Sequence, residues 1–350
     1  MAKFTDVIYD VTKEGRKLPT SEYKDKGLYP IIDQGQNNIA GYTDETDGLF
    51  SNVPAIIFGD HTRIIKYVDT PFFIGADGVK ILKAKDEKAN YKFLYYALSS
   101  AKIPNTGYNR HFKWLKEIDI PTYSEQEEKK IVSKLDKICD LITLRKLQLL
   151  KLDELVKSRF IELFGDPVSN PMEWKKEQLQ SNATLLNGRA YKQDELLDTG
   201  KYPVLRVGNF FSNRSWYYSD LELDDDKYCD DGDLLYAWSA SFGSKIWTGG
   251  KVIYHYHIWK VLVGESYNKQ FLCHLLDYVT SSLMGDTHGI GMMHLTKSGM
   301  EETKFIVPPI ELQNQFANLV EQTDKSKLAV QQSLEKLETM KKALMQKYFG

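Results

Sequence analysis

The stretch KFIVPPIELQNQ (304–315) decides how this chain is organised, because a similar stretch, EIDIPTYSEQEE, stands at 117–128. Each stretch runs β-favouring residues into a proline, continues through a short polar turn and reaches a glutamine. Pro121 and Pro308 are 187 positions apart, and so are Gln126 and Gln313. The chain is therefore predicted to end a strand and begin a helix in the same way twice.

The first predicted helix covers residues 125–164, which contain neither glycine nor proline. Ser124 and Glu127 have the S-x-x-E spacing of a capping box, and Gly165 is a typical helix stop. Apolar residues recur in alternating steps of four and three, which predicts packing against another helix. These residues are Ile131, Leu135, Ile138, Ile142, Leu149, Leu152 and Val156.

The second predicted helix covers residues 310–349 and has the same spacing. Its packing residues are predicted to be Phe316, Val320, Val330, Leu334, Leu337 and Leu344. Each helix would be about 60 Å long, and a long helix with one apolar stripe is poorly stable alone. We therefore expect the two helices to form an antiparallel coiled coil.

The segments before the helices are also related, since GLYPII (27–32) matches GKYPVL (200–205). Short alternating runs between Gly and Asp turns predict strands, and short helices are predicted at 90–100 and 269–283. The predicted fold class is α+β: two repeated globular domains, at opposite ends of two long helices, with pseudo-two-fold symmetry. The predicted segments are domain 1 at 1–123, helix 1 at 124–165, domain 2 at 166–308 and helix 2 at 309–350.

Composition places the chain among ordinary globular proteins, with 42% hydrophobic and 27% charged residues in a length of 350. The sequence contains no run of 18 apolar residues, so no membrane span is predicted. No signal peptide is recognisable near Met1. The cysteines, Cys139, Cys229 and Cys273, are scattered, which predicts a reducing cytoplasm. A net charge of −2 means that any DNA binding must rely on locally concentrated positive charge or on a partner.

Two patterns could carry catalysis or a metal. DPVSNPMEWK (166–175) brings together Asp166, Glu173 and Lys175, which superficially resemble a PD-(D/E)xK nuclease motif. Its turn-forming residues favour a linker instead. His255 and His257 stand two apart on a predicted strand, without further ligand spacing, which favours packed or surface histidines. We therefore predict no catalytic residue and no metal ligand in this chain.

The remaining chemistry lies in polar, basic loops of both globular domains. Asn and Gln can bond adenine with two hydrogen bonds, Arg can do so with guanine, and Lys and Arg can hold phosphates. The candidates in domain 1 are Gln34, Gln36, Asn37, Asn38, His61, Arg63, Asn109, Arg110, His111 and Lys113. The candidates in domain 2 are Arg206, Asn209, Arg214, Ser239, Ser241, Lys245, His288, His294 and Lys297.

The whole chain resembles the specificity subunit of type I restriction–modification systems. The similarity is carried by YPII…GQNNIAGY, GDLLYAW, IDIPTYSEQ, IVPPIELQ, ELFGDPVSNPMEW and MKKALMQKYFG, in this order. One departure is that domain 1 begins near Met1 without an apparent counterpart of NPMEWKKEQL (170–179).

This resemblance implies a non-catalytic subunit with two target recognition domains, each reading one half of a split, asymmetric site in double-stranded DNA. It also implies that the helices recruit two methylation subunits and that restriction subunits join them. S-adenosylmethionine, ATP and Mg²⁺ would be used by those partners, for N6-adenine methylation and cleavage, and this chain would need no cofactor. The competing hypotheses are a nuclease built on Asp166, Glu173 and Lys175, and a scaffold whose globular domains bind protein.

Overall fold

The computed structural model describes residues 1–75, 77–212, 214–239, 241–285 and 296–350, with the backbone alone for 281–285. The chain divides into two compact units. The first contains residues 1–147 and 331–350, and the second contains residues 148–330. Each unit therefore holds one globular domain together with one segment of each long helix.

The globular domain of the first unit consists of short strands and three short α-helices among its described residues. Its elements are β1 (Ala2–Lys3), α1 (Phe4–Val7), β2 (Ile8–Asp10), β3 (Tyr29–Ile32), β4 (Gly41–Thr43), β5 (Ala55–Gly59), β6 (Ile65–Val68), β7 (Phe73–Ile74), β8 (Val79–Ala84), α2 (Tyr91–Ser99), α3 (Phe112–Leu115) and β9 (Asp119–Ile120). The first long helix, α4, follows at Glu125–Phe164.

The second globular domain repeats most of this order, but it has no α-helix between its first two strands, an added α-helix after its third strand and an added strand after its fourth. Its elements are β10 (Lys176–Gln178), β11 (Ala183–Asn187), β12 (Tyr202–Leu205), α5 (Val207–Phe211), β13 (Tyr217–Ser219), β14 (Tyr228–Cys229), β15 (Leu234–Ser239), β16 (Ser241–Ile246), β17 (Val252–Tyr254), β18 (Ile258–Val263), α6 (Lys269–Gly285), α7 (Lys297–Glu302) and β19 (Lys304–Ile306). The second long helix, α8, follows at Ile310–Phe349.

The two domains share one sheet topology over the described residues. The first has a sheet of order β2-β8-β5-β6, and the second has the matching order β11-β18-β15-β16. A smaller sheet, β4-β3-β7, corresponds to β13-β12-β17, to which β14 is added. The parallel pairing is also shared, since β3 pairs with β7 in the first domain and β12 pairs with β17 in the second. The predicted α+β fold with two repeated domains and two long helices is confirmed.

Each stretch that precedes a long helix is a strand paired with the first strand of its own domain. Ala2 pairs with Ile120 in the first domain, and Lys176 pairs with Ile306 in the second. The expectation that the first domain lacks a counterpart of NPMEWKKEQL is therefore wrong for its strand portion. The corresponding strands β1 and β10 share little sequence, because backbone hydrogen bonds, which do not depend on side-chain identity, form the pairing.

The beginning and end of α4 follow the predicted signals. The Ser124 backbone N–H donates to Glu127 Oε2 at 3.0 Å, and the Glu127 N–H donates to Ser124 Oγ at 3.4 Å. Gly165 adopts φ +70° and its N–H donates to the Ile161 carbonyl at 2.8 Å. The capping box therefore satisfies backbone groups at the start of the helix, and the glycine supplies the left-handed residue that ends it.

Within the first unit, the start of α4 packs against the end of α8. Ile131 and Leu135 share a core with Leu344. The side chain of Arg145, which interrupts the apolar spacing, donates from Nε to Ser333 Oγ at 3.3 Å. Later residues of α4 thus meet earlier residues of α8, so the two segments run antiparallel in this unit.

Within the second unit, the end of α4 packs against the start of α8. Phe160 and Phe164 lie 5.4 and 5.7 Å from Phe316 between ring centroids, and Lys327 pairs with Asp153 at 2.6 Å. These segments are also antiparallel. Phe160 and Phe164 are more deeply buried than the spacing predicts, since both also contact α6 through Phe271.

The two glutamines of the opening stretches are not equivalent in the structure. Gln313 is fully buried, and its amide oxygen accepts from the Asn268 N–H at 2.8 Å. Its Nε2 donates to the carbonyls of Ser266 at 3.0 Å and Pro308 at 2.8 Å. Gln126 is exposed. The buried glutamine therefore joins the start of α8 to the start of α6, whereas its counterpart has no such role.

Candidate nucleic-acid interface

Three loops of the first domain meet at Gln34, and a fourth packs against one of them. Its Nε2 donates to the Asp77 carbonyl at 2.9 Å, and its Oε1 accepts from the His61 N–H at 3.2 Å. The Thr62 hydroxyl donates to the Gln34 carbonyl at 2.7 Å. These contacts join the loop after β3 to the β5–β6 turn and to the loop after β7, so Gln34 positions other residues.

The fourth loop, residues 103–111, is held against the β5–β6 turn by several contacts. His61 Nδ1 lies 3.2 Å from the Asn109 carbonyl, and its ring stacks on Tyr108 at 4.6 Å between centroids with planes 7° apart. Arg63, with φ +62°, donates from its guanidinium to the Ile103 carbonyl at 3.3 Å. His61 and Arg63 are therefore half-buried residues that fix one loop on another.

His111 is fully buried and is not a surface residue. Its Nδ1 lies 2.9 Å from the Asp60 carbonyl, its Nε2 lies 3.4 Å from Thr106 Oγ1, and its ring packs on Trp114. The prediction that His111 contacts DNA directly is wrong, because both ring nitrogens face protein oxygens. Its role is to anchor the 103–111 loop.

The remaining candidates of the first domain lie at the surface. Asn109 uses its side-chain Nδ2 to donate to the Thr106 carbonyl at 2.5 Å, which shapes its own loop. Lys113 extends over the Trp114 ring at 4.1 Å. The exposed candidates are Gln36, Asn37, Asn38, Asn109, Arg110 and Lys113.

Equivalent loops meet in the second domain through equivalent backbone contacts. The His255 N–H donates to the Leu205 carbonyl at 2.9 Å, as the Gly75 N–H does to Ile32 in the first domain at the same distance. The Trp238 N–H donates to the His257 carbonyl at 3.0 Å. The loop after β12, the β15–β16 hairpin and the β17–β18 turn therefore converge.

The prediction of one continuous strand carrying both His255 and His257 is wrong. Strand β17 ends at Tyr254 and β18 begins at Ile258, and the Ile258 N–H closes a turn onto the His255 carbonyl at 2.9 Å. The chain turns here because β17 belongs to the sheet β13-β12-β17-β14 and β18 to the sheet β11-β18-β15-β16. Apolar, β-favouring residues on both sides conceal the turn in the sequence.

The turn carries a cluster of aromatic and imidazole rings that the sequence did not single out as a site. Tyr256 lies 4.5 Å from His255 and 3.9 Å from His257 between ring centroids, and its carbonyl accepts from Trp238 Nε1 at 2.9 Å. Burial, reinforced by His257 and Arg206, lowers the pKa of His255 to about 4. His255 is therefore neutral near pH 7 and behaves as a packing group.

The candidates of the second domain occupy three settings. Arg206 and Arg214 are exposed on the loop after β12, where Asn209 Nδ2 donates to the Arg214 carbonyl at 2.9 Å. Ser239 and Ser241 face each other across the β15–β16 hairpin. Lys245 is exposed on β16, and Lys297 lies on α7 with Glu301 at 3.6 Å. The last two candidates, His288 and His294, lie outside the described residues.

The nuclease-like residues are engaged in local structure. Asp166 Oδ1 accepts from the Val168 N–H at 2.7 Å, which forms a turn. Lys175 forms an ion pair with Glu177, and Glu173 is exposed with φ +56°. Over the residues that the structure describes, no group of three or more His, Cys, Asp or Glu side chains is arranged to hold a metal ion.

Among the described residues, no helix is long and apolar enough to cross a membrane.

Converging polar loops thus recur on two copies of one α+β domain, each beside a pair of long helical segments. Residues 3–153 and 171–339 match the family model described as the type I restriction modification DNA specificity domain. The chain therefore belongs to this family.

Two curated relatives are specificity subunits of type I restriction enzymes. The chain is 25% identical over 179 residues to the specificity subunit of the Escherichia coli type I restriction enzyme EcoBI, covering 49% of this chain and 38% of the relative. It is 30% identical over 135 residues to the Escherichia coli EcoR124I/EcoR124II specificity subunit, covering 36% and 33%. The matches thus span less than half of these relatives.

The structural comparison extends over nearly the whole chain. The crystal structure of the type I restriction–modification system S subunit from M. genitalium superposes with a TM-score of 0.64 at 18% identity. The superposition covers 99% of this chain and 95% of that one, and shows that the two share a fold.

Proposed function

We propose that this chain is the DNA sequence-specificity subunit of a type I restriction–modification complex. The observation that carries the proposal is that equivalent loops converge in both domains, held by equivalent backbone hydrogen bonds, but with different side chains. One scaffold that presents two different surfaces suits a split, asymmetric DNA site. Residues 1–123 and 166–308 would be the two target recognition domains.

The exposed candidates of each domain divide by chemistry. In the first domain, the amides of Gln36, Asn37 and Asn38 suit base edges, whereas Arg110 and Lys113 suit phosphates. In the second domain, Ser239 and Ser241 suit base edges. Its phosphate candidates are Arg206, Arg214, Lys245 and Lys297, and His288 and His294 remain candidates on the loop before α7.

A second group of candidates would act indirectly. Gln34, His61 and Arg63 hold neighbouring loops together in the first domain, and Asn209 bonds to the Arg214 carbonyl within its own loop. Their substitution should disturb loop geometry before it removes any DNA contact. They are therefore assigned positioning roles.

The long helices would dock the methylation subunits. Large exposed apolar side chains on a helix commonly mark a protein interface. In the first unit, α4 exposes Leu141, Leu144 and Leu147, and in the second unit it exposes Leu150, Leu155 and Ile161. Exposed apolar side chains on this helix in both units suit two copies of one partner.

The chemistry would reside in partner subunits rather than in this chain. Methylation subunits would use S-adenosylmethionine to methylate adenine at N6, and restriction subunits would use ATP and Mg²⁺ to cleave DNA. The assembly would act in the cytoplasm. The nuclease hypothesis is weaker because Asp166 caps a turn and Lys175 pairs with Glu177.

The test is to express this chain with its cognate methylation subunit in a bacterial host that lacks adenine methylation. Long-read sequencing then maps N6-methyladenine across the genome. We expect methylation at one bipartite, asymmetric motif that appears only when this chain is present. A methylation pattern independent of this chain would contradict the proposal and favour a scaffold.

A Glu173→Gln variant distinguishes the nuclease hypothesis from a non-catalytic specificity subunit. It is tested in the assembled complex that also contains restriction subunits. We expect cleavage, DNA binding and assembly to remain at wild-type levels. Loss of cleavage with intact binding and assembly would instead assign catalysis to this chain.

A further inference from the structure

Each domain carries an exposed tyrosine beside histidine where its loops converge: Tyr108 stacks on His61, and Tyr256 is tilted against His255 and His257. In the first domain, Tyr108 is 87% exposed and lies nearly parallel to the His61 ring. A large aromatic side chain at the tip of a loop ordinarily gains stability by burial. This ring instead remains accessible and is held in one orientation.

Tyr108 stacks on a histidine that is itself held by two other contacts. The His61 backbone N–H donates to Gln34 Oε1 at 3.2 Å, and its ring Nδ1 lies 3.2 Å from the Asn109 carbonyl. The contacts connect the stack to three of the four converging loops. Tyr108 therefore packs on an anchored ring, and this contact reduces the conformational entropy that it would lose on contacting a ligand.

The second domain reaches a similar arrangement from a different loop. Tyr256 is 39% exposed on the β17–β18 turn, between His255 and His257. Its backbone carbonyl is held by the Trp238 indole. Because Tyr108 and Tyr256 occupy different positions of the repeat, the shared feature is the exposed tyrosine on histidine and not a shared sequence.

The chemical setting of each ring points to nucleic acid. Arg110 and Lys113 follow Tyr108 closely in the chain and are exposed, and Arg206 lies on the loop beside His255. Cations can hold phosphates, while an aromatic ring can contact the thymine methyl group and a phenol can donate to or accept from a base edge. Tyrosine has no charge with which to hold a phosphate strongly.

We propose that Tyr108 and Tyr256 are base-contacting residues that determine the sequence preference of their respective domains. This inference rests on the proposed function and adds to it the residues that distinguish one half-site from the other. Each tyrosine acts on the half-site of its own domain.

The experiment uses the assembled complex of this chain with its methylation subunits. Binding is measured to the motif obtained by methylation mapping, to duplexes with one changed base pair in either half-site, and to an unrelated duplex. The variants are Tyr108→Ala and Tyr256→Ala. Tyr9→Ala is the matched control, because Tyr9 is an exposed tyrosine on β2, and Arg110→Ala represents a phosphate contact.

We expect Tyr108→Ala to reduce discrimination at one or two positions of one half-site by roughly tenfold, with binding to the unrelated duplex unchanged. Tyr256→Ala should do the same only in the other half-site. Arg110→Ala should weaken binding to all duplexes alike and lower the salt dependence. Tyr9→Ala should match the wild type.

Three results would overturn the inference: unchanged discrimination in the tyrosine variants, an equal loss of affinity for all duplexes, or an effect of one variant on both half-sites. A wild-type complex that does not discriminate the mapped motif would instead show that the proposed function itself is wrong. Thermal unfolding of each variant checks that the exposed substitution leaves the fold intact.

Discussion

Replacing Gln313 by alanine should destabilise the second unit far more than the same change at Gln126. The two glutamines occupy matching places in the repeated sequence, but Gln313 is buried with three hydrogen bonds and Gln126 is exposed. The pair therefore tests whether the structure, rather than the sequence pattern, determines the contribution of each residue.

The expected magnitude follows from the three bonds. Each hydrogen bond contributes about 1 kcal/mol net, and a buried group left without a partner costs about 1–3 kcal/mol. Ser266 and Asn268 are half-buried, so water can replace part of what they lose, whereas Pro308 is buried. The sum is about 3 kcal/mol, which for a unit of this size lowers Tm by roughly 6–12 °C.

Tryptophan fluorescence during thermal unfolding of the full chain is a suitable assay. The second unit contains Trp174, Trp216, Trp238, Trp247 and Trp259, whereas the first contains Trp114, so emission reports chiefly on the second unit. Gln313→Met, which is similar in size, separates hydrogen bonding from packing and should retain most of the loss. Equal Tm values for Gln313→Ala and Gln126→Ala would refute the reasoning.

Three further predictions concern stability. Phe160→Ala should lower the unfolding free energy by about 3–5 kcal/mol, because the Phe160 side chain is only 2% exposed. Ile161 is 37% exposed, so Ile161→Ala should change the unfolding free energy by less than about 1 kcal/mol. Urea titration measures both values, and equal losses would contradict the prediction. Ser124→Ala should lower it by about 1 kcal/mol, measured by circular dichroism at 222 nm, and a wild-type midpoint would exclude a role for the cap. The folded-state pKa of His255, about 4, lies below its ordinary value of 6.5, so protonation favours unfolding, and stability should fall as the pH drops from 6.5 towards 4. His255→Gln should make this fall shallower in chemical denaturation at several pH values, and an unchanged slope would argue against the assignment.

The helices and the repeat could be predicted because their signals are local. The absence of Gly and Pro, the Ser124–Glu127 spacing and Gly165 gave the limits of α4 to within one residue. The same periodicity predicts the packing residues, of which Ile131, Leu135, Val156 and Phe316 are buried, whereas Leu149 and Leu337 are half-buried. The deeper burial of Phe160 and Phe164 could not be predicted, because it depends on α6, more than 100 residues farther along the chain.

The candidate interface was only partly predictable, since polar loops attract attention whether their side chains face solvent or protein. His111 is an example: its sequence neighbours Arg110 and Lys113 are exposed, whereas its own ring is buried on Asp60. The side-chain amide of Gln34 likewise forms hydrogen bonds with neighbouring loops. Composition identifies such segments, but the direction of each side chain depends on contacts between segments distant in sequence.

The exposed tyrosines illustrate the converse. Tyr108 directly precedes the candidates Asn109 and Arg110 but was not among them, because the candidates were chosen for polar and basic side chains. Tyr256 was concealed within a run that favours a strand on both sides. An aromatic residue flanked by Gly107, Asn and Arg was the available signal for Tyr108, and the sequence contains no comparable signal for Tyr256.

The central claim is that each globular domain reads its own half of one DNA site. The most direct measurement exchanges residues 166–308 for the corresponding domain of another family member and maps N6-methyladenine by long-read sequencing in the presence of the methylation subunit. The account predicts that one half of the motif changes while the other half is retained. A motif that stays the same, or one that changes in both halves, would contradict it.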